Sequence, residues 1–314
     1  MNTPLFLTPV FQERIWGGQK LKDLFGYSIP YERTGECWAV SAHPNGQSVI
    51  KSGPYEGKTL GELWTSRPEL FRSQSAVFPL LTKILDASDD LSVQVHPDDE
   101  YAGIHENGEL GKTECWYIVA ADPGAEIIYG HEATSKEQLV QMVENGHWDE
   151  FLTKVPVKAG DFFYVPSGTI HAIGKGIVIL ETQQSSDTTY RVYDYDRKDK
   201  DGNSRELHLN KAIDVTTIPQ SYQPQEYKVA QREGLSVTTF VSNSFFTVEK
   251  WNISSLTHFQ EQPKYIICSV LDGQGQLTLE DTTYPLSKGD HFILPANFGP
   301  YQMDGQLELI ISHE

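Results

Sequence analysis

AGDFFYVPSGTIHAI (159–173) and KGDHFILPANFGPYQ (288–302) share the frame Gly-Asp-x-Phe-x-x-Pro. In the first copy the apolar run DFFYVP (161–166) ends in a Pro-Ser-Gly turn that delivers His171. Aromatic and β-branched residues bounded by glycine and proline read as a strand closed by a turn. SVQVHP (92–97), CWYIVA (115–120), AEIIYG (125–130) and IVILET (177–182) read the same way. With 25 glycines and 17 prolines the chain is turn-dense, and a mainly β sandwich or barrel is expected. The repeated frame predicts two copies of one β module, the second altered: Pro300 stands where the first copy has its histidine.

Two segments break the strand pattern. TLGELWTSRPELF (59–71) has Leu60, Leu63 and Trp64 at helical spacing. In TSKEQLVQMVENGHWDEFL (134–152), Ser135 is placed to cap a helix, Leu139, Met142 and Val143 form its apolar stripe, and Gly146 divides it in two. Both are expected as helical insertions, at about 59–72 and 134–152. A connector is expected across 212–235, where TTIPQSYQPQEYKVAQREG (216–234) lacks periodicity. The expected division is an N-terminal module over 1–225 and a C-terminal one over 226–314. The Gly-x-Gly of DGQGQ (272–276) reads as a hairpin turn rather than a nucleotide loop.

The chain of 314 residues carries 43 acidic and 25 basic side chains, a net charge of −18. Such a surface repels phosphate backbones and anionic lipid, so neither a nucleic-acid nor a membrane partner is expected. The three cysteines, Cys37, Cys115 and Cys268, form no C-x-x-C pair and suggest neither a disulfide framework nor a thiolate zinc knuckle. No segment reaches the roughly 18 apolar residues of a membrane helix, and the N-terminus lacks a leader pattern, so the expected location is cytoplasmic. Nothing marks an obligate protein partner.

The densest chemistry lies between residues 94 and 171. Gln94 and His96 are two apart on an expected strand and leave one face, while Val93 and Val95 leave the other. Glu114 opens the next strand, and His171 follows its turn. Two imidazoles, a carboxylate and an amide oxygen suit zinc or another divalent transition metal, with room for water or substrate. Taken singly, each is ordinary: a histidine after a turn, a solvated glutamate. Their joint occurrence in a strand frame is what points to a metal.

The spacing Gly160-x5-Pro166-x-Gly168-x2-His171 resembles the second cupin motif, and Gln94-x-His96-x17-Glu114 resembles a variant of the first. Cupins are double-stranded β-barrels holding a metal near the barrel mouth, so the resemblance implies two such barrels, the second without metal. RIWGG (14–18), GECWAVSAHPNG (35–46), LLTKILDA (80–87), SVQVHPDDEYA (92–102), GKTECWYI (111–118), PSGTIHAIG (166–174) and LETQQSSDTTYR (180–191) together resemble the type I mannose-6-phosphate isomerases, in their shorter firmicute-like form.

That resemblance implies a zinc-dependent interconversion of mannose 6-phosphate and fructose 6-phosphate through a cis-enediol. One zinc per chain falls on His96, Glu114 and His171, with Gln94 as a fourth ligand. The family's catalytic arginine falls on Arg191 and its pocket carboxylates on Glu181 and Asp187. Its pocket lysines fall on Lys83 and Lys112, and Trp16 and Glu36 match the pocket tryptophan and glutamate. One departure is plain: the usual His-Ala-Tyr reads His171-Ala172-Ile173. Taken alone, Arg191 suits either an oxyanion or an ion pair with an aspartate of YDYDR (193–197), and the sequence does not rank Glu181 against Asp187 as base. An iron-dependent cupin dioxygenase and a non-enzymatic sugar-binding paralogue are the alternatives. For a sugar phosphate to bind an acidic protein, zinc, Arg191, Lys83 and Lys112 must make one local positive pocket.

Overall fold

Short runs of β-branched and aromatic residues between turns fold as antiparallel strands. In the computed structural model, which describes residues 3–198, 202–220 and 226–314, they form three large sheets and one small one. A six-stranded sheet has the order Phe162–Val165, Glu114–Ala121, Ile177–Gln184, Leu80–Ala87, Thr34–Val40, Val10–Gly18. A five-stranded sheet has the order Leu152–Pro156, Glu126–His131, His171–Ile173, Val93–Val95, Tyr190–Tyr193. Their inner faces share a core that includes Leu85, Trp116, Ile127, Phe163 and Ile173, which closes the first barrel.

The third sheet, of ten strands, carries the C-terminal module around a second core that includes Trp251, Phe292 and Leu309. The architecture is the mainly β, two-barrel cupin fold. The repeated Gly-Asp frame makes the same turn twice. Gly160 and Gly289 have φ of +91° and +90°, conformations that cost glycine little. Asp161 and Asp290 each accept a hydrogen bond from the backbone N–H three residues earlier, at 2.9 and 2.8 Å.

The insertions are helical. Thr59 caps Leu60–Ser66 with a full capping box, and Ser135 accepts from the Gln138 N–H at the start of Lys136–Glu144. Gly146, at φ +66°, separates that helix from Trp148–Phe151. Leu139, Val143 and Phe151 then cover Val93 and Val95 on the outside of the five-stranded sheet. Val93 and Val95 are thereby buried outward, and the alternation of the strand sends Gln94 and His96 into the barrel.

Two local readings are corrected. DGQGQ is not a turn: it lies inside the continuous strand Ile266–Leu279. Its glycines serve close backbone approach instead, since a Cβ on Gly273 would meet the Gln306 carbonyl oxygen at 1.9 Å. The connector opens with a helix, Leu209–Val215, whose Ala212 is buried, and it contains the strand Lys228–Arg232. That strand pairs with Leu235–Ser242 along one side only and every residue in it is exposed, so no apolar alternation announces it. The division expected at 225/226 abuts residues 221–225, outside the described residues. Hydrogen bonding crosses it elsewhere, because the N-terminal strand Leu5–Thr8 pairs with His291–Leu294 of the C-terminal sheet.

The seam between modules is apolar, including Leu5, Leu7, Ile84, Phe246, Ile293 and Ile310. Polar contacts also cross it, among them Tyr117 to Glu308 at 2.9 Å and a latch at Tyr27. The Tyr27 hydroxyl donates to the Gly289 carbonyl oxygen and lies 2.8 Å from His291 Nε2, while His291 Nδ1 lies 2.9 Å from Ser269 Oγ. Burial lowers the His291 pKa from its ordinary 6.5 to about 3. Between those values the unfolded chain takes up a proton that the folded chain refuses, so acidification destabilises the fold by about 1.4 kcal/mol per pH unit. We expect the stability difference between wild type and His291→Gln to narrow by roughly 2 kcal/mol from pH 7 to pH 5 in urea titrations. An unchanged difference would remove His291 as the titrating group.

Candidate active site

Strand register assembles the site in two facing rows. Across the five-stranded sheet, His171, Gln94 and Arg191 are direct cross-strand partners. Across the six-stranded sheet, Trp38, Lys83, Glu181 and Trp116 form another such row. Glu36 and Glu114 lie two residues before Trp38 and Trp116, hence on the same face. Pleat and register alone bring together residues from seven strands.

The centre of the arrangement is a buried cluster of His96, Glu114 and His171. His96 Nδ1 lies 2.9 Å from the Thr188 carbonyl oxygen, and His171 Nδ1 lies 2.8 Å from that of Thr169. A carbonyl only accepts, so in the neutral rings both Nδ1 atoms carry the proton and both Nε2 atoms a lone pair. The two Nε2 atoms are 3.2 Å apart. They lie 3.4 and 3.5 Å from the two Glu114 carboxylate oxygens. Burial keeps both rings neutral, lowering the His171 pKa to about 4 and that of His96 well below its ordinary value.

Three electron-pair donors this close repel one another unless a cation sits among or beside them, and Lys112 Nζ stands 3.1 Å from His96 Nε2. Ligands about 2.0–2.2 Å from a tetrahedral divalent ion stand about 3.3–3.5 Å apart, which is the spacing seen here. Glu114 Oε2 is buried without a hydrogen bond of proper geometry, although Lys112 Nζ stands 3.2 Å away. The residues therefore fit a divalent metal. The carbonyl partners of Nδ1 are the outer-shell contacts that usually orient metal-binding histidines. Gln94 places its amide nitrogen 3.4 Å from His171 Nε2, so turning the amide over would present its oxygen.

A cavity of about 320 Å³ opens beside the cluster. Trp16, Glu36, Lys83, Gln94, Lys112, Glu181, Asp187 and Arg191 all line it. The Trp116 indole N–H donates to both Glu114 and Glu181, at 3.0 Å each, and so joins the cluster to the cavity. Burial and then the Glu114 charge raise the Glu181 pKa to about 7. Glu36 goes the other way: burial would raise its pKa, but Lys83, Arg14 and the Trp38 indole N–H bring it to about 2. Burial opposes the charge of Lys112, yet Glu114, Glu181 and Asp187 hold its pKa above the ordinary lysine value. Asp187 is half-buried and accepts from the Asn45 side chain at 3.0 Å.

Among the described residues Arg191 has no carboxylate partner. Its guanidinium reaches the Glu206 carbonyl oxygen at 2.8 Å and Ser92 Oγ at 3.3 Å, while the YDYDR aspartate Asp194 pairs with Arg197 and Arg205. Ile173, which replaces the tyrosine of the related motif, forms apolar cavity wall. Sequence reasoning passed over Arg14, Ser92, Trp116 and Arg205. Ser92 was legible, since it sits two before Gln94 and faces the same way. Arg205 was not, because it reaches the cavity from an irregular segment.

The fold and site define a class: a two-barrel cupin with one metal-type His/Glu/His cluster opening on a basic, polar cavity. Residues 5–123 match the family description "Phosphomannose isomerase type I, catalytic domain", and residues 236–314 match "Mannose-6-phosphate isomerase, cupin domain". The chain is 57% identical to mannose-6-phosphate isomerase ManA of Bacillus subtilis, covering 99% of this chain and 98% of that protein. It is 60% identical to mannose-6-phosphate isomerase of Streptococcus mutans over 100% of this chain and 99% of the relative. The crystal structure of a B. subtilis mannose 6-phosphate isomerase superposes with a TM-score of 0.97 at 54% identity, covering 99% of this chain and 100% of that one. The chain belongs to the type I mannose-6-phosphate isomerase family.

The cluster predicts its own disruption. His171→Ala is expected to abolish stoichiometric metal in elemental analysis. Trp116→Phe removes the donor shared by two buried carboxylates and should weaken metal affinity about 10- to 100-fold in competition with a chelator. Equal metal content and affinity in both variants would place the metal elsewhere.

Proposed function

We propose that this protein is a zinc-dependent aldose–ketose isomerase that interconverts mannose 6-phosphate and fructose 6-phosphate through a cis-enediol. The observation that carries the reading is the buried His96–Glu114–His171 cluster opening on a cavity with more cations than carboxylates, in a chain of net charge −18. The names of relatives more than half identical over full length support it.

The reaction moves a proton between C2 and C1 while negative charge develops on the adjoining oxygens. His96, Glu114 and His171, with Gln94 turned oxygen-first, would hold the zinc, which when bound supplies Lewis acidity toward the sugar carbonyl. Glu181 is the carboxylate we assign to proton transfer. It is buried, lines the cavity, and has a pKa near neutrality, where a group can both take and return a proton. Asp187 lies at the more open side and suits hydroxyl binding.

Lys112, held charged by its acidic neighbours, can stabilise the enediol oxygens. Arg191, with no carboxylate partner among the described residues, can serve the same charge from the opposite row. Trp16 and Ile173 supply apolar wall, and Glu36, fixed by Arg14 and Trp38, supplies a permanently ionised acceptor for sugar hydroxyls. A dioxygenase at the same ligands would have no use for these cavity cations, and a binding paralogue no use for a carboxyl tuned to neutrality.

A coupled assay for fructose 6-phosphate tests the reading. Turnover is expected in the metal-loaded protein, loss on full chelation, and return with zinc. Persistence after metal removal would refute the metal dependence. A base must be ionised to act, so kcat/KM should rise with pH on a limb ending no higher than about 7. Glu181→Gln should lower kcat by about 10²-fold or more and erase that limb. A retained limb would move the base to Asp187.

A further inference from the structure

The cavity cations are not equivalent. Arg14 forks onto Glu36 at 2.9 and 3.1 Å. Lys83 stands 3.9 Å from Glu181 and 4.7 Å from the centre of the Trp38 ring. Lys112 stands 3.2 Å from Glu114. Each of these is matched to a buried carboxylate beside the cluster. At the other end, among the described residues, three guanidiniums share little negative charge. Asp194, only 5% exposed, accepts from Arg197 at 2.6 Å and from Arg205 at 2.8 and 2.5 Å. Asp89 stands 3.8 Å from Arg197, and among the described residues Arg191 donates to neutral oxygens. Burial, and next the charge of Arg205, lower the pKa of Arg191, so the two arginines sense each other. The surplus positive charge of the cavity is concentrated here.

We infer that Arg205, oriented by the buried carboxylate of Asp194, seats the phosphate group of the substrate and so sets specificity for phosphorylated over free sugar. This deepens the isomerase reading and rests on it. Asp194 takes Nε and Nη2 of Arg205, and among the described residues no acceptor takes Nη1. A guanidinium fixed along one edge keeps its remaining N–H groups for a phosphate at little entropic cost. Its side chain lines the cavity and is 26% exposed, so a ligand can reach it.

The dimensions agree. Ser92, Gln94 and His96 leave one face of one extended segment, with Ser92 against Arg191 and His96 in the metal-type cluster. Four residues of extended chain span roughly 13 Å, the reach of an open-chain hexose phosphate with a contact at either end. The C1–C2 edge then meets the cluster and Glu181 while the phosphate meets Arg205. Arg191, on the strand beside Gln94, is the nearer of the two to the reacting carbons; Arg205, from beyond that strand, is the anchor.

The test compares wild type, Arg205→Ala and Arg205→Lys as metal-loaded full-length protein, with thermal melts and metal content measured alongside. Arg205→Ala should raise KM for mannose 6-phosphate about 10- to 100-fold and weaken competitive inhibition by inorganic phosphate by a similar factor. Its kcat should stay within about threefold of wild type, since binding common to ground and transition states acts on KM. The ratio of kcat/KM for mannose 6-phosphate to that for free mannose should fall together with it. Arg205→Lys keeps the charge but loses the fork, and should lie between the two. It also keeps the proposal testable if the alanine variant unfolds. Unchanged KM and unchanged phosphate inhibition in either folded variant would overturn the assignment, as would loss of kcat or metal at constant KM. An inactive wild type would instead defeat the isomerase reading itself. In that case direct titration of inorganic phosphate into wild type and Arg205→Lys still decides the anion seat, equal affinities ruling it out.

Discussion

Two imidazole nitrogens and a carboxylate, all buried and all offering electron pairs, converge within hydrogen-bonding distance inside the first barrel. Because each ring commits its only proton to a backbone carbonyl on its far side, neither can relieve the repulsion by donating to the other. Such a cluster is tolerable only with positive charge in its midst or beside it. Much of the surrounding arrangement answers that demand. Lys112 is buried against Glu114, Trp116 bridges Glu114 to Glu181, and Lys83 stands behind Glu181. Glu181, left with the weakest compensation, is the carboxyl whose pKa rises to about 7.

The charge of the whole chain and the charge of the cavity have opposite signs, and both matter. A net −18 surface disfavours polyanions at long range, where solvent screening leaves only summed charge. Inside the cavity water is partly excluded and individual pairs decide. The cations near the cluster are matched to carboxylates, whereas among the described residues those around Asp194 outnumber them. The cavity is therefore polarised along its length, and a ligand with one anionic end enters in one orientation.

The second barrel repeats the Gly-Asp turn of the first, and among the described residues the His/Glu/His cluster lies in the first barrel. In the second, Pro300 occupies the histidine's place and the inner space is filled by Trp251, Phe292 and Leu309. His291 of this barrel is neutral and tied to Tyr27, so its ring serves the seam between modules. The strand Leu5–Thr8, first in sequence, completes the C-terminal sheet and makes the two barrels interdependent.

How much of this was legible follows from the range of each interaction. The strands, both helical insertions, the Ser135 cap and the Gly146 break are local: they depend on propensity and alternation within a few residues, and they emerge where the pattern places them. The ligand types and the inward aim of Gln94 and His96 follow from the two-residue period of a strand. The DGQGQ reading failed because glycine serves turns and close backbone approach alike, and only the facing strand at Gln306 distinguishes them. The exposed strand Lys228–Arg232 escaped because an edge with no buried face has no alternation to read. By itself, then, the sequence determined the β architecture, the recurring Gly-Asp turn, and many of the residues that form the buried cluster and line the cavity. Only the tertiary structure decided which carboxylate is tuned toward neutrality, which arginine lacks a carboxylate partner among the described residues, and that Arg205 joins the cavity. Those properties arise from register between distant strands and from burial, which fix distances and dielectric between groups that the linear chain keeps far apart.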